Sequence, residues 1–390
     1  MRIAFYAPMK PPGGARPSGD RNMARLLIRA LAAAGHEVAL ASRFRSRDGA
    51  GDAANQAAIE RRGRAAARRL IARYRAAPHA SRPEAWFTYH LYHKAPDWLG
   101  PAVADALAIP YIVAEASFAP KQKAGRWAHG HAAAERQIRR ADAVIGLNSN
   151  DAAQVRPLLR PGVALTALRP FLDARPFAAA SDRRAAHRAR LIGTYGLEPG
   201  LPLLLAVGMM RAGDKLASYR VLGDALATLR DVGWQLLIVG DGPARAEVEA
   251  VFAAFGGRVR FAGRMQAARL PAIYAAADLY VWPAVREAYG MAILEAQAAG
   301  LPCIAGRVGG VGDIVREGET GLLSPEGDAD SFAHDLRALL ADPARRARMG
   351  DAARATVARD HTVAVAAAAL DAAIARAVRI ASPSPVGAAP

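Results

Sequence analysis

Two successive series of short apolar segments, each alternating with helical segments, constrain the fold of this chain more than any other feature. At the start, residues 3–7 and 37–41 are predicted strands, and residues 21–34 between them carry apolar side chains at the 3.6-residue period of a helix. A strand–helix–strand unit predicts a parallel sheet. A second series begins at about residue 201, so the sequence predicts an α/β protein with two successive open sheets.

The length of 390 residues also favours two domains, because single hydrophobic cores rarely grow beyond about 250–300 residues. We expect an N-terminal Rossmann-like domain over 1–165, a connector over 166–200 that begins and ends with prolines, and a second domain over 201–361. A C-terminal helix at about 362–380 is expected to pack back on the first domain. Residues 382–390 alternate Ser, Pro, Gly and Ala, which predicts a disordered tail.

The net charge of +17 suits three kinds of partner: nucleic acid, an anionic membrane surface or a phosphate-bearing substrate. An arginine-rich composition with solvated surfaces explains the charge equally well. Residues 53–76 are predicted to form a helix with a thin apolar stripe at Leu70, Ile71 and Tyr74. The helix carries seven arginines: Arg61, Arg62, Arg64, Arg68, Arg69, Arg73 and Arg75.

That helix has two interpretations, a solvated surface helix or a contact with anionic lipid or an anionic acceptor. Nucleic-acid binding is disfavoured, because Tyr74 is the one aromatic residue interleaved with these arginines. The apolar run at the N-terminus is short and ends at Pro8, which predicts a strand and not a signal peptide. We therefore expect a cytoplasmic protein, with peripheral contact to the inner face of the membrane as the open alternative.

A pair of glutamates, Glu287 and Glu295, gives the strongest chemical signal. Glu287 follows a predicted strand, in a loop with Gly290, and Glu295 lies on a helix that begins near Met291. A loop that leads into a helix offers free backbone N–H groups to hydroxyls or phosphate. Two carboxylates so placed can hold two polyol parts of one ligand, although two surface glutamates at chance spacing would look the same.

The segments around this pair form an ordered series of motifs. In chain order they are Val239-Gly240-Asp241-Gly242-Pro243, Tyr274-Ala275-Ala276-Ala277-Asp278, Ala299-Gly300-Leu301-Pro302, Gly309-Gly310 and Gly318-Glu319-Thr320-Gly321. With the glutamate pair, this series resembles the second domain of the large family of retaining group 1, or family 4, glycosyltransferases. The resemblance is close over about 200–340 and looser elsewhere. It implies the GT-B architecture, in which two Rossmann-like domains face each other across a cleft.

The resemblance also implies an activity and a donor site. A sugar would pass from a nucleoside diphosphate sugar to an acceptor with retention of anomeric configuration, as in other hexosyltransferases. Glu287 would contact the donor sugar, and Glu295 would hold the ribose hydroxyls. The loop between them, Tyr289, Gly290, Met291 and Ala292, would offer backbone amides, and Arg264 would lie near the base.

Two cations are expected to neutralise the departing diphosphate. In the loop after the strand at 203–207, Lys215 matches the lysine of the family. The position of the family's arginine holds Met209, and Arg211 is the expected substitute. A solvated arginine and lysine on a loop is the alternative.

The first domain contributes two further candidates. A loop rich in glycine and proline, residues 10–20, precedes the first helix, and Gly19 is the nearest match to the family's glycine, with Gly13 and Gly14 as alternatives. His90, at the end of the strand at 86–90, matches a histidine that reaches the donor sugar in the family. His93 is the other candidate, and a histidine without a chemical role is the alternative for both.

No cofactor and no metal is expected, because the family fold binds its donor without one. His129 and His131 lack supporting ligands, and Asp328 and Asp330 precede a helix, where aspartate caps. The base of the donor (UDP, GDP or ADP) and the acceptor, a glycan or a lipid-linked molecule, stay open.

Rival enzymes are less well supported. A nucleotide-sugar epimerase of GT-B type is the main alternative, a phosphorylase would need a longer chain, and a dehydrogenase would need a Gly-x-Gly-x-x-Gly turn.

Overall fold

Parallel strands alternate with helices along the chain, and the computed structural model describes residues 1–14, 18–287 and 289–381. The tail at 382–390, predicted to be disordered, lies outside the described residues. Up to residue 168 the elements are β1 (Arg2–Tyr6), α1 (Gly19–Ala33), β2 (Glu37–Leu40), α2 (Ala53–Ala76), β3 (Ala85–Leu91), α3 (Gly100–Leu107), β4 (Tyr111–Ala116), α4 (Ala128–Arg140), β5 (Ala143–Gly146), α5 (Ser149–Val155) and β6 (Leu165–Ala167).

The remaining elements repeat the alternation. They are α6 (Arg175–Ser181), α7 (Arg184–Tyr195), β7 (Leu203–Val207), α8 (Asp214–Ala227), β8 (Gln235–Val239), α9 (Arg245–Phe252), β9 (Val259–Gly263), α10 (Leu270–Ala276), β10 (Leu279–Trp282), α11 (Met291–Ala298), β11 (Cys303–Gly306), β12 (Gly321–Ser324), α12 (Ala329–Ala341), α13 (Pro343–Asp360) and α14 (Val363–Ala381). None of the helices in the described part of the chain is long and apolar enough to cross a bilayer.

The chain forms two compact units. The first contains Met1–Leu168 and α14, and the second is Arg169–Thr362. The segment 166–200, predicted as a connector, instead contributes α6 and α7 to the second unit. Arg184 and Arg188 of α7 both pair with Asp278, at 2.6 and 2.9 Å, and this carboxylate also accepts the N–H of Leu203 at 2.7 Å. These contacts fix α7 to the start of β7 and β10.

The first unit has a six-stranded parallel sheet in the order β2-β1-β3-β4-β5-β6. From β1 the chain moves first to one side, to β2, and then returns to build β3 to β6 on the other side. The carboxyl ends of β1 and β3 are therefore the point where the strand order reverses. Helix α14 buries Leu370 and Ile374 in this unit, and Asp371 lies 3.3 Å from the ring of His36.

The second unit has a parallel sheet in the order β12-β11-β10-β7-β8-β9. Except for the edge strand β9, its strands are almost continuously apolar and buried, as expected where helices cover both faces of a parallel sheet. The order reverses between β7 and β10, because the chain runs from β7 to the edge at β9 before it returns to β10. The loops after β7 and β10 therefore lie side by side.

The Gly240-Asp241-Gly242-Pro243 turn after β8 packs directly on the loop after β7. Both glycines have positive φ, and a Cβ atom at Gly240 would lie 1.8 Å from the carbonyl oxygen of Gly208. A Cβ atom at Gly242 would lie 2.1 Å from the carbonyl oxygen of Met210. The turn therefore shapes the neighbouring loop by close backbone contact.

Gly240→Ala should lower the stability of the protein by about 2 kcal/mol or more, because backbone must move to admit the new methyl group. Gly193→Ala is a matched control in α7, where nothing lies within 4 Å of the added Cβ. That change should be neutral or stabilising by up to about 1 kcal/mol. Melting temperatures from differential scanning calorimetry test the contrast, and equal values for the two variants would contradict it.

Candidate functional site

The loops after β7 and β10 bring Lys215 and Glu287 together at the point where the second sheet reverses its order. In open α/β sheets, ligands bind at this place, beyond the carboxyl ends of the strands. Lys215 lies in the first turn of α8, and its ammonium group forms an ion pair with Oε2 of Glu287. The side chains are 19% and 18% exposed, so both are largely shielded and yet reach a solvent-accessible edge.

Trp282, the last residue of β10, orients this ion pair. Its indole N–H donates to Oε2 of Glu287 at 3.3 Å, and Nζ of Lys215 lies 5.0 Å from the centre of its ring. The ring of Tyr219 packs edge-on against it, with centroids 5.1 Å apart. Glu287 therefore has one oxygen held by two donors, which fixes the direction of the carboxylate.

The loop from β10 to α11 is tightly wound. Ala284 and Arg286 have φ angles of 57° and 48°, which is uncommon for residues other than glycine. Gly290 (φ 72°) occupies the N-cap position of α11, so the N–H groups of Met291 and Ala292 belong to a first turn that has no internal acceptors for them. These amides and the positive end of the helix suit an anionic or polyol ligand.

Glu295 lies further along α11 and is half-buried. Its Oε2 accepts a hydrogen bond from the hydroxyl of Tyr274 on α10 at 3.0 Å. Burial raises the pKa of Glu295 to about 7, and the hydrogen bond from Tyr274 offsets only part of that effect. The carboxyl group is therefore poised between its neutral and charged forms near neutral pH.

The other predicted donor residues lie along the same edge of the sheet. Arg211 is exposed in the loop after β7, and within the described residues its side chain makes no ion pair or hydrogen bond with Glu287. Met209, in the place of the family's arginine, is 44% exposed. Arg264 is exposed directly after β9, and Tyr289 is half-buried beside Gly290. Ala288 lies outside the described residues.

In the first unit, His90 lies at the corresponding reversal of strand order. Strands β3 and β4 pair Tyr89 with Ala114, so the next residues, His90 and Glu115, are neighbours at the carboxyl ends. Both have positive φ, at 64° and 57°. Nδ1 of His90 lies 3.6 Å from Oε2 of Glu115 and 3.4 Å from Oδ1 of Asp20.

This cluster is held from the loop after β1. Lys10 and Ser18 both bind Oδ2 of Asp20, with the Ser18 hydroxyl at 3.0 Å. Burial lowers the pKa of His90, but Glu115 and Asp20 outweigh it and leave the pKa above its ordinary value. Gly19, predicted as the glycine of this loop, is the first residue of α1, and its Cα faces open space.

Four residues of these clusters were not singled out from the sequence: Asp20, Glu115, Tyr274 and Trp282. Glu115 could have been found, because a polar residue that ends a buried strand meets the end of the neighbouring strand in a parallel sheet. Tyr274 begins one of the sequence motifs, but the sequence assigned its side chain no role at the site, since a tyrosine on a short buried helix is typical of a core. His93, the alternative to His90, lies away from this cluster, against the ring of Trp127.

The predicted capping role of Asp328 agrees with its position. Its side chain accepts the N–H of Ser331 in the first turn of α12 at 2.9 Å. In the parts of the chain that the structure describes, no three His, Cys, Asp or Glu side chains are grouped so that they could hold a metal ion.

The ionisation of Glu295 predicts a dependence of stability on pH. The unfolded chain loses this proton near the ordinary value of 4.5, whereas the folded chain keeps it until about 7. The free energy of unfolding should therefore fall as the pH rises through this window. Glu295→Gln removes the effect, so its gain in melting temperature over the parent protein should be larger at pH 8 than at pH 5.

Glu319→Gln, at an exposed glutamate of the same unit, serves as the control. Its melting temperature should differ from that of the parent protein by the same amount at pH 5 and at pH 8. Equal gains for Glu295→Gln at pH 5 and pH 8 would mean that Glu295 ionises as an ordinary surface carboxyl.

Comparison with known proteins shows which family the second unit resembles. Residues 201–342 match the family model described as glycosyl transferases, group 1. Over 160 residues the chain is 36% identical to the sulfoquinovosyl transferase SQD2 of Arabidopsis thaliana, a match that covers 40% of this chain and 30% of that protein. A glycogen synthase of Mycobacterium tuberculosis is 31% identical over 297 residues, covering 70% of this chain and 66% of that enzyme. The chain thus spans less than two thirds of these relatives.

The fold is confirmed by solved structures. The structure of HepE from Anabaena, in complex with UDP, aligns with a TM-score of 0.69 and 18% identity, covering 96% of this chain and 100% of that one. This likeness and the two parallel sheets confirm the predicted two-domain α/β fold of GT-B type. Residues 201–342, which carry Lys215, Glu287 and Glu295, are therefore similar to the group 1 glycosyl transferases.

Proposed function

We propose that this protein transfers a sugar from a nucleoside diphosphate sugar to an acceptor, with retention of anomeric configuration. The observation that supports the proposal best is the Lys215–Glu287 pair beside the first turn of α11, within the segment that matches the group 1 transferases. The lysine and the helix N-terminus favour an anionic group, and the carboxylate favours hydroxyl groups. A nucleotide sugar carries both kinds of group.

Lys215 is proposed to bind the diphosphate of the donor. In the free protein its charge is neutralised by Glu287. When the donor enters, Glu287 can accept hydrogen bonds from sugar hydroxyls, and Lys215 can turn to the phosphate oxygens. The barrier to transfer is charge separation at the anomeric bond, and a preorganised cation that stabilises the leaving diphosphate lowers it by about 3 kcal/mol.

Glu295 is proposed to bind the ribose hydroxyls, and Tyr274 to orient it. A carboxylate accepts two hydroxyl hydrogen bonds, so binding favours the charged form of Glu295. Arg211, Arg264 and the loop from Tyr289 to Ala292 are proposed as further donor contacts, and Gly19 and His90 as contributions of the first unit. UDP is the nucleotide in the aligned HepE structure, which makes a UDP-sugar the first donor to test. We propose that binding needs no metal.

A hydrolysis screen of UDP-, GDP- and ADP-sugars with purified protein and EDTA tests the proposal. We expect slow release of the nucleoside diphosphate from one class of donor. Lys215→Ala should lower kcat by about 100-fold and the donor affinity far less, because the cation acts mainly on the leaving group. Glu295→Ala should weaken UDP binding by about tenfold or more in calorimetry.

Glu319→Ala, an exposed change in the same unit, is the control for both variants. Interconversion of donor sugars without release of the diphosphate would replace the proposal by an epimerase. An unchanged affinity of Glu295→Ala for UDP would contradict the proposed role of Glu295 in ribose binding. The anomeric configuration of the glycoside product, determined by NMR, tests retention.

We also propose that α2 contacts an anionic membrane surface through its arginines. The inward face of this helix, Gln56, Ile59, Gly63, Ala67 and Leu70, is buried within the first unit. Gly63 packs so closely that an added Cβ would lie 2.4 Å from Trp98. Of the predicted apolar stripe, Leu70 is thus covered by protein, and Ile71 and Tyr74 are partly buried against the core of the first unit. Contact with lipid would therefore be mainly electrostatic, through the exposed arginines.

Sedimentation with vesicles that contain phosphatidylglycerol tests this contact. The parent protein should pellet at low salt and be released as salt rises, because exposed charges are screened. A quadruple Arg→Gln variant on α2 should stay in the supernatant; its positions are Arg61, Arg62, Arg68 and Arg69. A control with equal loss of charge in the second unit should still pellet; its positions are Arg183, Arg190, Arg220 and Arg348. Equal behaviour of the two variants would refute a specific role for α2.

A further inference from the structure

A line of three arginines in the first unit has no role in the sites described above. The segment 41–48 follows β2 and forms neither a helix nor a strand. Along it Arg43, Arg45 and Arg47 are exposed, whereas the residues between them are half-buried or buried. Such alternation is typical of an extended chain, in which side chains two residues apart lie on the same side and about 6.5 Å apart. The three arginines, here called the arginine row, therefore form one line of positive charge.

The inward residues of the segment hold the arginine row in place. Phe44 packs against the core of the first unit. Ser46 is only 1% exposed, its N–H donates to the carbonyl oxygen of Pro8 at 3.0 Å, and its hydroxyl donates to that of Pro96 at 2.6 Å. The segment is therefore bound to the loops after β1 and β3, and its backbone is fixed.

The arginine row leads toward His90. Nε of Arg45 donates to the carbonyl oxygen of Met9 at 3.1 Å. The hydroxyl of Tyr92 donates to the sulfur of the same methionine at 3.4 Å, and the ring of Tyr92 lies 5.0 Å from that of His90. His90 marks the reversal of strand order in the first sheet, where ligands of open α/β sheets bind. The arginine row thus connects an exposed surface with the expected ligand site of this unit.

The carboxylates nearest in sequence do not neutralise the arginine row. Asp48 is only 4% exposed and accepts the N–H groups of Gly51 at 2.9 Å and Asp52 at 3.0 Å. Asp52 in turn caps α2 by accepting the N–H of Asn55 at 3.0 Å. In the described part of the chain, the arginine row forms no ion pair with a carboxylate.

Other exposed arginines of the first unit do have such partners. Arg64 pairs with Glu60 at 2.7 Å, and Arg139 pairs with Glu135 at 3.0 Å. Three neighbouring guanidinium groups without carboxylates repel one another, and this repulsion opposes folding. An anionic ligand would supply the missing charge, so the arginine row has the properties of an anion-binding surface.

The form of the arginine row indicates the kind of ligand. The planar fork of a guanidinium group matches a carboxylate or a phosphate, and a row of such groups favours a ligand with several anionic groups along its length. The exposed positions of the segment carry no large apolar side chain, which disfavours insertion into a bilayer. Phe44, its one aromatic residue, packs inward, which disfavours stacking on nucleic acid bases.

We propose that the arginine row binds an acidic glycan, a sugar chain with several carboxylate groups, and directs its end toward His90. The choice of an anionic ligand rests on the arginine row itself. The choice of a glycan rests on the proposed function, because His90 is proposed to contact the donor side of the reaction and the acceptor must end beside it.

Binding of a fluorescent oligogalacturonide, a short chain of galacturonic acid, tests the proposal on the full chain. Fluorescence anisotropy should show saturable binding to the parent protein, and a neutral malto-oligosaccharide of the same length should bind far less. A triple Arg→Gln variant of the arginine row should bind the oligogalacturonide about tenfold more weakly, because three exposed ion pairs are lost. A triple Arg→Lys variant should have intermediate affinity, since it keeps the charge and loses the fork.

The matched control removes the same charge from the second unit, at the exposed residues Arg183, Arg190 and Arg220. Its Arg→Gln variant should bind almost as well as the parent protein, because distant charges are screened by salt. Equal affinities of the two triple Gln variants would overturn the proposal. A double Gln variant at Arg43 and Arg47 keeps the bond from Arg45 to Met9, so its weaker binding separates lost contacts from a disturbed loop.

The competing partners are tested with the same variants. Vesicles with phosphatidylglycerol and a duplex DNA are each titrated with the parent protein and the triple Gln variant of the arginine row. A loss of affinity for vesicles or DNA that exceeds the loss for the oligogalacturonide would overturn the glycan in favour of that partner. A loss confined to the oligogalacturonide would support it.

Binding of UDP, measured by calorimetry, keeps this proposal apart from the proposed function. The arginine row belongs to the first unit and the proposed contacts of UDP to the second, so its triple Gln variant should bind UDP like the parent protein. UDP binding together with equal glycan affinity of both triple Gln variants would refute the glycan site alone. Selective loss of glycan binding in a protein that does not bind UDP would refute the proposed donor site alone.

Discussion

The pairing of β7 with β10 is the constraint on which the candidate donor site depends. These strands are separated by more than seventy residues, yet Leu279 and Tyr280 pair with Leu204 and Leu205 in parallel register. Because this pair marks the reversal of strand order, the loop that carries Lys215 and the loop that carries Glu287 leave the sheet side by side. The ion pair, the orienting tryptophan and the free first turn of α11 all follow from that one register.

The same topology produces a different electrostatic arrangement in the first unit. At its reversal, His90 lies between two carboxylates, and strained backbone holds His90 and Glu115 at the strand ends while Lys10 and Ser18 hold Asp20 in α1. In the second unit the corresponding place holds a lysine and a glutamate whose charges cancel. A site that must receive an anion benefits from a cation that is neutralised until the ligand arrives, because the lysine then stays partly buried without an unpaired charge.

Much of the fold and of the candidate donor site could be predicted from the sequence. Buried parallel strands appear as short apolar runs, and the loops that follow them are marked by glycines. The predicted two-domain α/β fold was confirmed. What the sequence could not supply was pairing at long range. Asp278 ends one of the sequence motifs, but that motif does not reveal that it binds Arg184 and Arg188 and draws the predicted connector into the second unit. Helix α13 was missed because its arginine-rich sequence has a weak apolar stripe.

His129 and His131, near the start of α4, show the limit of motif-based inference most clearly. His129 and His131 look like a pair in the sequence, and they were dismissed as metal ligands for want of a third partner. In the fold they separate: His129 pairs with Glu60, whereas His131 turns to Phe118 and keeps a buried nitrogen unpaired. The surroundings of a buried side chain are visible only when every neighbour is in place, so a pattern of residue types could not separate these two histidines.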